Sequence, residues 1–377
     1  MGGLDLSLLF SPITIKGLTL PNRLMRSATF EQAAQKDGEV SPRELAIYRD
    51  LALGKVGLIV SGIVNVCEAG RISPRQNSLS RDEDIPGMAG LAREVHEHGG
   101  KVAVQLFHAG REAARRHAWQ GGGPAVGPSA SEGEGHFPYP NRALREEEIL
   151  QVAQDFATAA GRAREAGFDA VQVHAAHAYL LAQFLSPHAN RREDRWGGSL
   201  ENRLRLHLEV LAAIRTQVGL EFPVMFKLGV ADGFPGGLPP EDGLRAAELL
   251  AQASCDCLEI SQGLRGESYA QSEFRTKVDR PGNEAYFRAW AAEVKKRVTV
   301  PVAAVGGVRT PEMAEEILAD GDADLVALSR PLISEPGLPA RWQRGDSRRA
   351  RCVSCNKCFE QIMQGRYITC ALDRKDT

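Results

Sequence analysis

An α/β fold of the (β/α)8 barrel type is predicted by three observations. Eight short apolar runs rich in Val, Ile and Leu recur along the chain, stretches of helical period separate them, and polar residues able to do chemistry gather at their C-terminal ends. The runs are 23–29 (RLMRSAT), 56–62 (VGLIVSG), 101–107 (KVAVQLF), 169–175 (DAVQVHA), 223–229 (PVMFKLG), 256–262 (DCLEISQ), 301–307 (PVAAVGG) and 324–330 (DLVALSR). Near-continuous apolarity is what a parallel strand covered on both faces requires.

Between the runs, residues 147–166 place Ile149, Ala153, Phe156, Ala160 and Ala163 on one helical face, and 200–217 do the same with Leu204, Leu208, Leu211 and Ile214. A doubly wound sheet is the competing architecture, but no GxGxxG follows the first strand as a dinucleotide fold needs. The Gly- and Pro-rich stretch 119–140 reads as a long loop of the kind that borders active sites. The barrel is expected over 1–335. Residues 336–377, with four of the seven cysteines, are expected to form an appendage closing one end.

The chain of 377 residues is 43% hydrophobic and 25% charged, enough for one large core. Its formal charge of −2 disfavours a phosphate-backbone partner, so no nucleic-acid function is expected. No apolar run approaches the roughly 20 residues of a membrane span. The N-terminus lacks the basic and apolar regions of a secretory leader, and a cytoplasmic location is expected.

Chemistry is expected at the C-terminal strand ends. Gly306-Gly307 after the seventh run and Ser329-Arg330 after the eighth suit a phosphate, because glycine lets backbone N–H groups approach and a guanidinium forks onto two oxygens. Gly306-Gly307 could also simply make a tight turn. His174 and His177 can aim two imidazoles at one substrate oxygen, and Tyr179 adds a weak acid. A metal pair is the alternative, yet the other strand ends offer few further ligands. Lys227 lies within an apolar strand and demands an anionic partner, which a cofactor gaining negative charge would supply. Gln105 offers both donor and acceptor to a heterocycle edge, or is a satisfied core amide.

Together these residues resemble the Old Yellow Enzyme family of FMN-dependent NADH:flavin oxidoreductases. The likeness runs from SPITIKGLTLPNRLMRSAT through GRIS (70–73), VQLFHAGR (104–111) and HAAHAYLLAQFLSPHANRREDRWGGSLENRLR (174–205) to Gly306-Gly307 and Ser329-Arg330. It implies a barrel holding FMN at its C-terminal rim, with Ser27, Ala28, Gly62 and Gln105 at the ring and Lys227 at its N1–O2 edge. Gly306, Gly307, Ser329 and Arg330 would hold the phosphate. His174 and His177 would bind the oxygen of an activated alkene, an α,β-unsaturated carbonyl or nitro compound, and Tyr179 would protonate its α-carbon. NADH or NADPH would be the hydride donor. Three positions depart from the pattern: Phe30 stands where Thr or Cys is common, Ala178 where Gly is, and Trp196 where Tyr or Phe is.

Cys352, Cys355, Cys358 and Cys370 resemble the iron–sulfur segment of the branch containing 2,4-dienoyl-CoA reductase and trimethylamine dehydrogenase. That implies a four-iron, four-sulfur cluster; zinc and free thiols are the alternatives. Those relatives continue into nucleotide-binding domains, whereas this sequence ends at Thr377, so a cluster here is expected to serve a separate redox partner or to be structural. An amine dehydrogenase or demethylase that sends electrons through the cluster is the competing activity, and a metal-dependent hydrolase using His174 and His177 a third. A homo-oligomer is expected, as is common among barrels of this family.

Overall fold

The computed structural model describes residues 6–113, 125–133, 139–278, 280 and 282–373. A hairpin of β1 (Ile13–Ile15) and β2 (Leu18–Leu20) comes first. The eight predicted runs then become β3 (Leu24–Arg26), β4 (Leu58–Asn65), β5 (Val102–Phe107), β8 (Ala170–Ala175), β9 (Val224–Gly229), β10 (Cys257–Ser261), β11 (Val302–Val305) and β12 (Leu325–Leu328). They pair in parallel, in sequence order, and β12 returns to β3 to close the barrel. The predicted (β/α)8 fold is what forms. The two predicted helices span Glu146–Glu165 and Leu200–Val218 and bury the faces read from their periodicity, except Leu208, which stays half-buried.

Because side chains alternate along a strand, the barrel interior builds up in rungs. The lowest rung is apolar: Met25, Leu58, Val60, Ala103, Ala170, Met225, Cys257, Ala303 and Leu325 pack on Ile15, Leu18 and Leu20 of the hairpin, which plugs that end. Two residues further along the same strands the rung turns polar, with Ser27, Gln105, Gln172, Lys227 and Glu259. Two more bring His174, Ser261, Gly307 and Ser329 to the rim. Apolar filling below and polar groups above confine the chemistry to one end.

Two local readings need correction. β4 runs on to Asn65 rather than ending at Gly62, because its register against β5 jumps from Val60↔Ala103 to Ile63↔Gln105. Ser61-Gly62 thus includes the extra residue of a bulge, which re-aims the strand end. The 119–140 stretch is not loop throughout: β6 (Ala125–Gly127) pairs in parallel with β7 (Asn141–Ala143), while 119–124 and 134–138 lie outside the described residues. The C-terminal segment packs first beside the helix Pro42–Leu53, with the Ala340 N–H donating to Gly54 O, and then crosses the barrel mouth. There the Ile368 N–H donates to Glu31 O, and the Gln32 amide donates to Ile362 O and Arg366 O. No described helix is long and apolar enough to cross a membrane.

Candidate active site

The strand ends and the crossing segment enclose a cavity of about 740 Å³ at the C-terminal mouth. Its floor is the polar rung. Lys227 Nζ donates to Ser27 Oγ at 2.7 Å and to Glu259 Oε1 at 2.9 Å, and Ser27 Oγ donates to the same carboxylate oxygen at 2.6 Å. Glu259 Oε2 accepts from Gln172 Nε2 (2.9 Å), whose Oε1 accepts from Gln105 Nε2 (2.6 Å). Lys227 therefore has a fully buried carboxylate as counter-ion within the protein. The expectation that a cofactor must supply this partner is corrected: Glu259 fills the role, two residues before the end of β10.

One wall carries the aromatic acid and both imidazoles. The chain leaves β8 and turns through left-handed backbone at His177 (φ +56°) and Ala178 (φ +66°). The turn is pinned to the end of β10, because the His177 N–H donates to Gln262 O and the Ala178 N–H to Gly263 O. Such conformations are unfavourable for residues with a Cβ. At Ala178, where the family pattern has Gly, this neighbour holds the strained form in place. His174 Nδ1 accepts the Ala176 N–H at 3.3 Å, which assigns the ring proton to Nε2. His177 Nε2 meets Ser261 Oγ at 2.8 Å.

The two imidazole centroids are 5.0 Å apart, and Tyr179 stands edge-on to His174 at 4.9 Å and to Phe107 at 4.4 Å. Burial, joined by Lys227 and Arg265, pushes both histidines well below the ordinary imidazole range, so they are neutral hydrogen-bonding groups. Burial pushes the Tyr179 phenol up, so it keeps its proton at neutral pH.

Across the cavity, β11 ends in Gly306 (φ +109°) and Gly307 (φ +86°). A Cβ on Gly306 would stand 2.6 Å from the Tyr286 ring, and one on Gly307 2.6 Å from Val278. Bare backbone is thus required at this end of β11, beside Ser329 and Arg330, where the short helix Arg330–Ser334 begins. Arg330 donates to Arg275 O (2.8 Å) and Asn356 Oδ1 (2.6 Å) and reaches Tyr286 Oη (3.5 Å).

Of the residues singled out from sequence, Ser27, Ala28, Gln105, His174, His177, Tyr179, Lys227, Gly306, Gly307, Ser329 and Arg330 all line this cavity, as does Phe30. Gly62 does not. The bulge turns it toward Glu31, its N–H donates to Tyr48 Oη (2.8 Å), and Ile63 takes the wall position. Trp196 is buried away from the cavity. Cys352, Cys355, Cys358 and Cys370 form no disulfide and surround a second, small cavity that Arg330 also borders. Among the described residues no three His, Cys, Asp or Glu side chains converge closely enough to hold a metal.

The cavity fits FMN by its donor set: a Cβ-free cradle beside Arg330 for a phosphate, amides and an ammonium on the floor for a ring edge, and room for both parts. Sequence reasoning missed Glu259, Gln172, Ser261, Arg265 and Tyr286. For Glu259 a signal existed, since it alternates in phase with Cys257 and Ser261 on the inward face of β10.

Comparison with known proteins agrees. The model of the NADH:flavin oxidoreductase / NADH oxidase family matches residues 8–348. A metal reductase of Desulforamulus reducens is 34% identical over 374 residues, covering 98% of this chain and 54% of its own length. An NADPH dehydrogenase of Bacillus subtilis is 35% identical over 329 residues, 87% of this chain and 92% of its own. The solved structure of a 2-naphthoyl-CoA reductase with 2-naphthoyl-CoA superposes with a TM-score of 0.90 at 29% identity, over 97% of this chain and 56% of that one. The chain therefore spans about half the length of the metal reductase and of the CoA-ester reductase. The barrel, its rim chemistry and the match across most of the sequence lead to one assignment: the chain belongs to the NADH:flavin oxidoreductase / NADH oxidase family, the Old Yellow Enzyme family.

Proposed function

We propose that this chain is an FMN-dependent NAD(P)H oxidoreductase that reduces activated alkenes, α,β-unsaturated carbonyl or nitro compounds. The observation that carries the reading is one cavity holding two neutral imidazoles and a protonated phenol on one wall and the Gly306-Gly307 cradle on another. FMN, when bound, supplies hydride transfer from the nicotinamide to the alkene β-carbon. Gly306, Gly307, Ser329 and Arg330 would hold its phosphate, and Ser27, Ala28, Gln105 and Lys227 its ring. His174, with its proton on Nε2, and His177 bind the substrate oxygen and stabilise negative charge as it builds there, in the manner of an oxyanion hole. Tyr179 delivers the proton to the α-carbon.

Anaerobic mixing tests the reading. NADH or NADPH should bleach the yellow protein, and cyclohexenone should restore the colour; bleaching by an amine instead would support an amine dehydrogenase. His174→Ala should weaken phenol binding far more than FMN retention, and Tyr179→Phe should slow alkene reduction without slowing the nicotinamide step. Equal loss in both half-reactions would remove Tyr179 from the role.

A second centre at the C-terminal cysteines is proposed on donor type alone, since as placed no three of them converge on one point. Cys352, Cys355, Cys358 and Cys370 border one small cavity, and in donor type four thiols suit an iron–sulfur cluster or zinc. Iron, acid-labile sulfide and zinc per chain on anaerobically purified protein decide among cluster, zinc and free thiols. A cluster would pass electrons to a redox partner protein, be structural, or be a vestige. The mass in solution tests the proposed homo-oligomer.

A further inference from the structure

We propose that Arg265 is a positioning residue for Tyr179: its guanidinium, forked onto Glu273 with Glu112 alongside, lies against the phenol and stabilises the phenolate left after proton delivery. This rests on the alkene-reduction reading and deepens it. Arg265 follows β10 in the stretch GLRGE, which no motif marks as functional.

The guanidinium carbon lies 5.6 Å from the Tyr179 ring centroid and 5.6 Å from that of Phe274. Its Nη2 and Nε reach Glu273 at 2.7 and 2.8 Å, and Glu112 Oε1 stands 3.8 Å from Nη1. Arg265, Glu273 and Tyr179 all line the cavity. A fork fixed on one carboxylate with a second alongside is immobile and permanently charged, which a lysine ammonium would not match.

The chemistry at Tyr179 needs such a neighbour. In the proton step the phenol O–H bond breaks and its electron pair stays on oxygen. The proton forms a C–H bond with the electron pair of the substrate enolate, and solvent later returns one proton to the phenolate. With Phe107 and His174 against the ring, the phenolate is poorly solvated, and an unpaired buried anion is costly. The charged and titratable groups around Tyr179 are Arg265, Glu112 and Glu273, with the neutral His174 at its edge. Of these Arg265 is the cation. Burial raises the phenol, the guanidinium draws it back down, and the two carboxylates oppose the guanidinium. Arg265 thus sets how readily Tyr179 parts with its proton without touching substrate.

The test uses flavin-loaded protein. Arg265→Gln should slow re-oxidation of the reduced enzyme by cyclohexenone roughly 10- to 100-fold, a part of what a general acid contributes. Reduction by NADPH should stay within about twofold. In a Tyr179→Phe background the same substitution should add almost nothing, the signature of two residues acting as one unit. Ultraviolet titration of the tyrosinate band, with Tyr179→Phe identifying the signal, should show the Tyr179 midpoint raised in Arg265→Gln. Glu112→Gln, which frees the guanidinium of one opposing charge and keeps the Glu273 fork, should lower it and serves if Arg265→Gln fails to fold. An unmoved midpoint, or an equal rate loss in both backgrounds, overturns the proposal. So does a loss confined to carboxylate-bearing enones, which would make Arg265 a substrate-anion site. If the wild-type protein reduces no alkene, the functional reading fails, while the titration still decides whether Arg265 governs Tyr179.

Discussion

Glu259→Gln is the sharpest perturbation of the cavity floor. Glu259 is fully buried and accepts three hydrogen bonds, from Lys227 (2.9 Å), Ser27 (2.6 Å) and Gln172 (2.9 Å). At an effective dielectric of about 20, opposite charges at this distance attract by about 6 kcal/mol. The amide retains the shape and an acceptor oxygen, so the net loss is smaller, about 3 kcal/mol, the lower end for breaking a buried pair. Spread over a chain of this length, that lowers the melting temperature of the flavin-free protein by roughly 4 °C. The same change leaves the Lys227 charge uncompensated at the floor, so the midpoint potential of the flavin-loaded protein should rise by tens of millivolts, about 30 mV per 1.4 kcal/mol for a two-electron couple. Replacing both partners, Lys227→Met with Glu259→Leu, should recover most of the stability and, with the uncompensated charge gone, abolish the rise in potential. Calorimetry of the flavin-free protein and dye-equilibrated reduction of the loaded protein check the two arms. A Glu259→Gln protein that melts within about 1 °C of wild type at an unchanged potential would show that the Lys227 charge is not spent on Glu259.

Other expectations follow from equally local observations. Gly306→Ala places a Cβ 2.6 Å from the Tyr286 ring on a backbone at φ +109°, so it should destabilise by about 1–3 kcal/mol. It should also release FMN on gel filtration; undiminished retention would remove Gly306 from the phosphate cradle. His207 is fully buried on the helix Leu200–Val218, and neither ring nitrogen finds a well-placed hydrogen-bond partner among the described residues. His207→Leu should therefore stabilise by about 1–2 kcal/mol at pH 7 in urea unfolding. Burial depresses the His207 imidazole from its ordinary 6.5 to about 3, so the unfolded chain takes up the proton first as pH falls. Its contribution is intact above pH 6.5 and is lost between 6.5 and 3, by up to about 1.4 kcal/mol per pH unit, and His207→Leu should flatten that acid slope. Gln32→Ala removes both amide bonds to the crossing segment, and hydrogen exchange over 357–368 should accelerate; unchanged exchange would mean that other contacts hold the segment.

The barrel was legible because its rule is local. A strand covered on both faces is an apolar run, and the inward period of two carries polar residues to its end, so His174, Lys227, Gly306 and Arg330 stand out without any partner being known. The helices Glu146–Glu165 and Leu200–Val218 were legible for the same reason, each face being written at helical spacing. Features that depend on pairing between distant elements were not. Ser27 meets Glu259 across 232 positions and Lys227 across 200, and an acid in DCLEISQ reads as an isolated charge until barrel closure brings the lysine beside it. The bulge that turns Gly62 out of the cavity wall is a matter of register between β4 and β5, invisible in either strand alone.

The contrast has a physical consequence for how the site is built. Groups that would face a cofactor or substrate sit at strand ends, where the fold alone supplies the position, whereas the groups that set their charge come from elsewhere. Glu259 answers Lys227, the Glu112–Arg265–Glu273 cluster stands behind Tyr179, and Ser261 meets His177. A low-dielectric mouth makes these partners decisive, since the same imidazoles in water would be partly protonated near pH 6.5 and poor at holding one fixed tautomer. Substituting a rim residue should therefore remove a binding or proton-transfer step outright. Substituting its partner should leave the step in place and move its midpoint, potential or pH profile, which is how the two groups can be told apart at the bench.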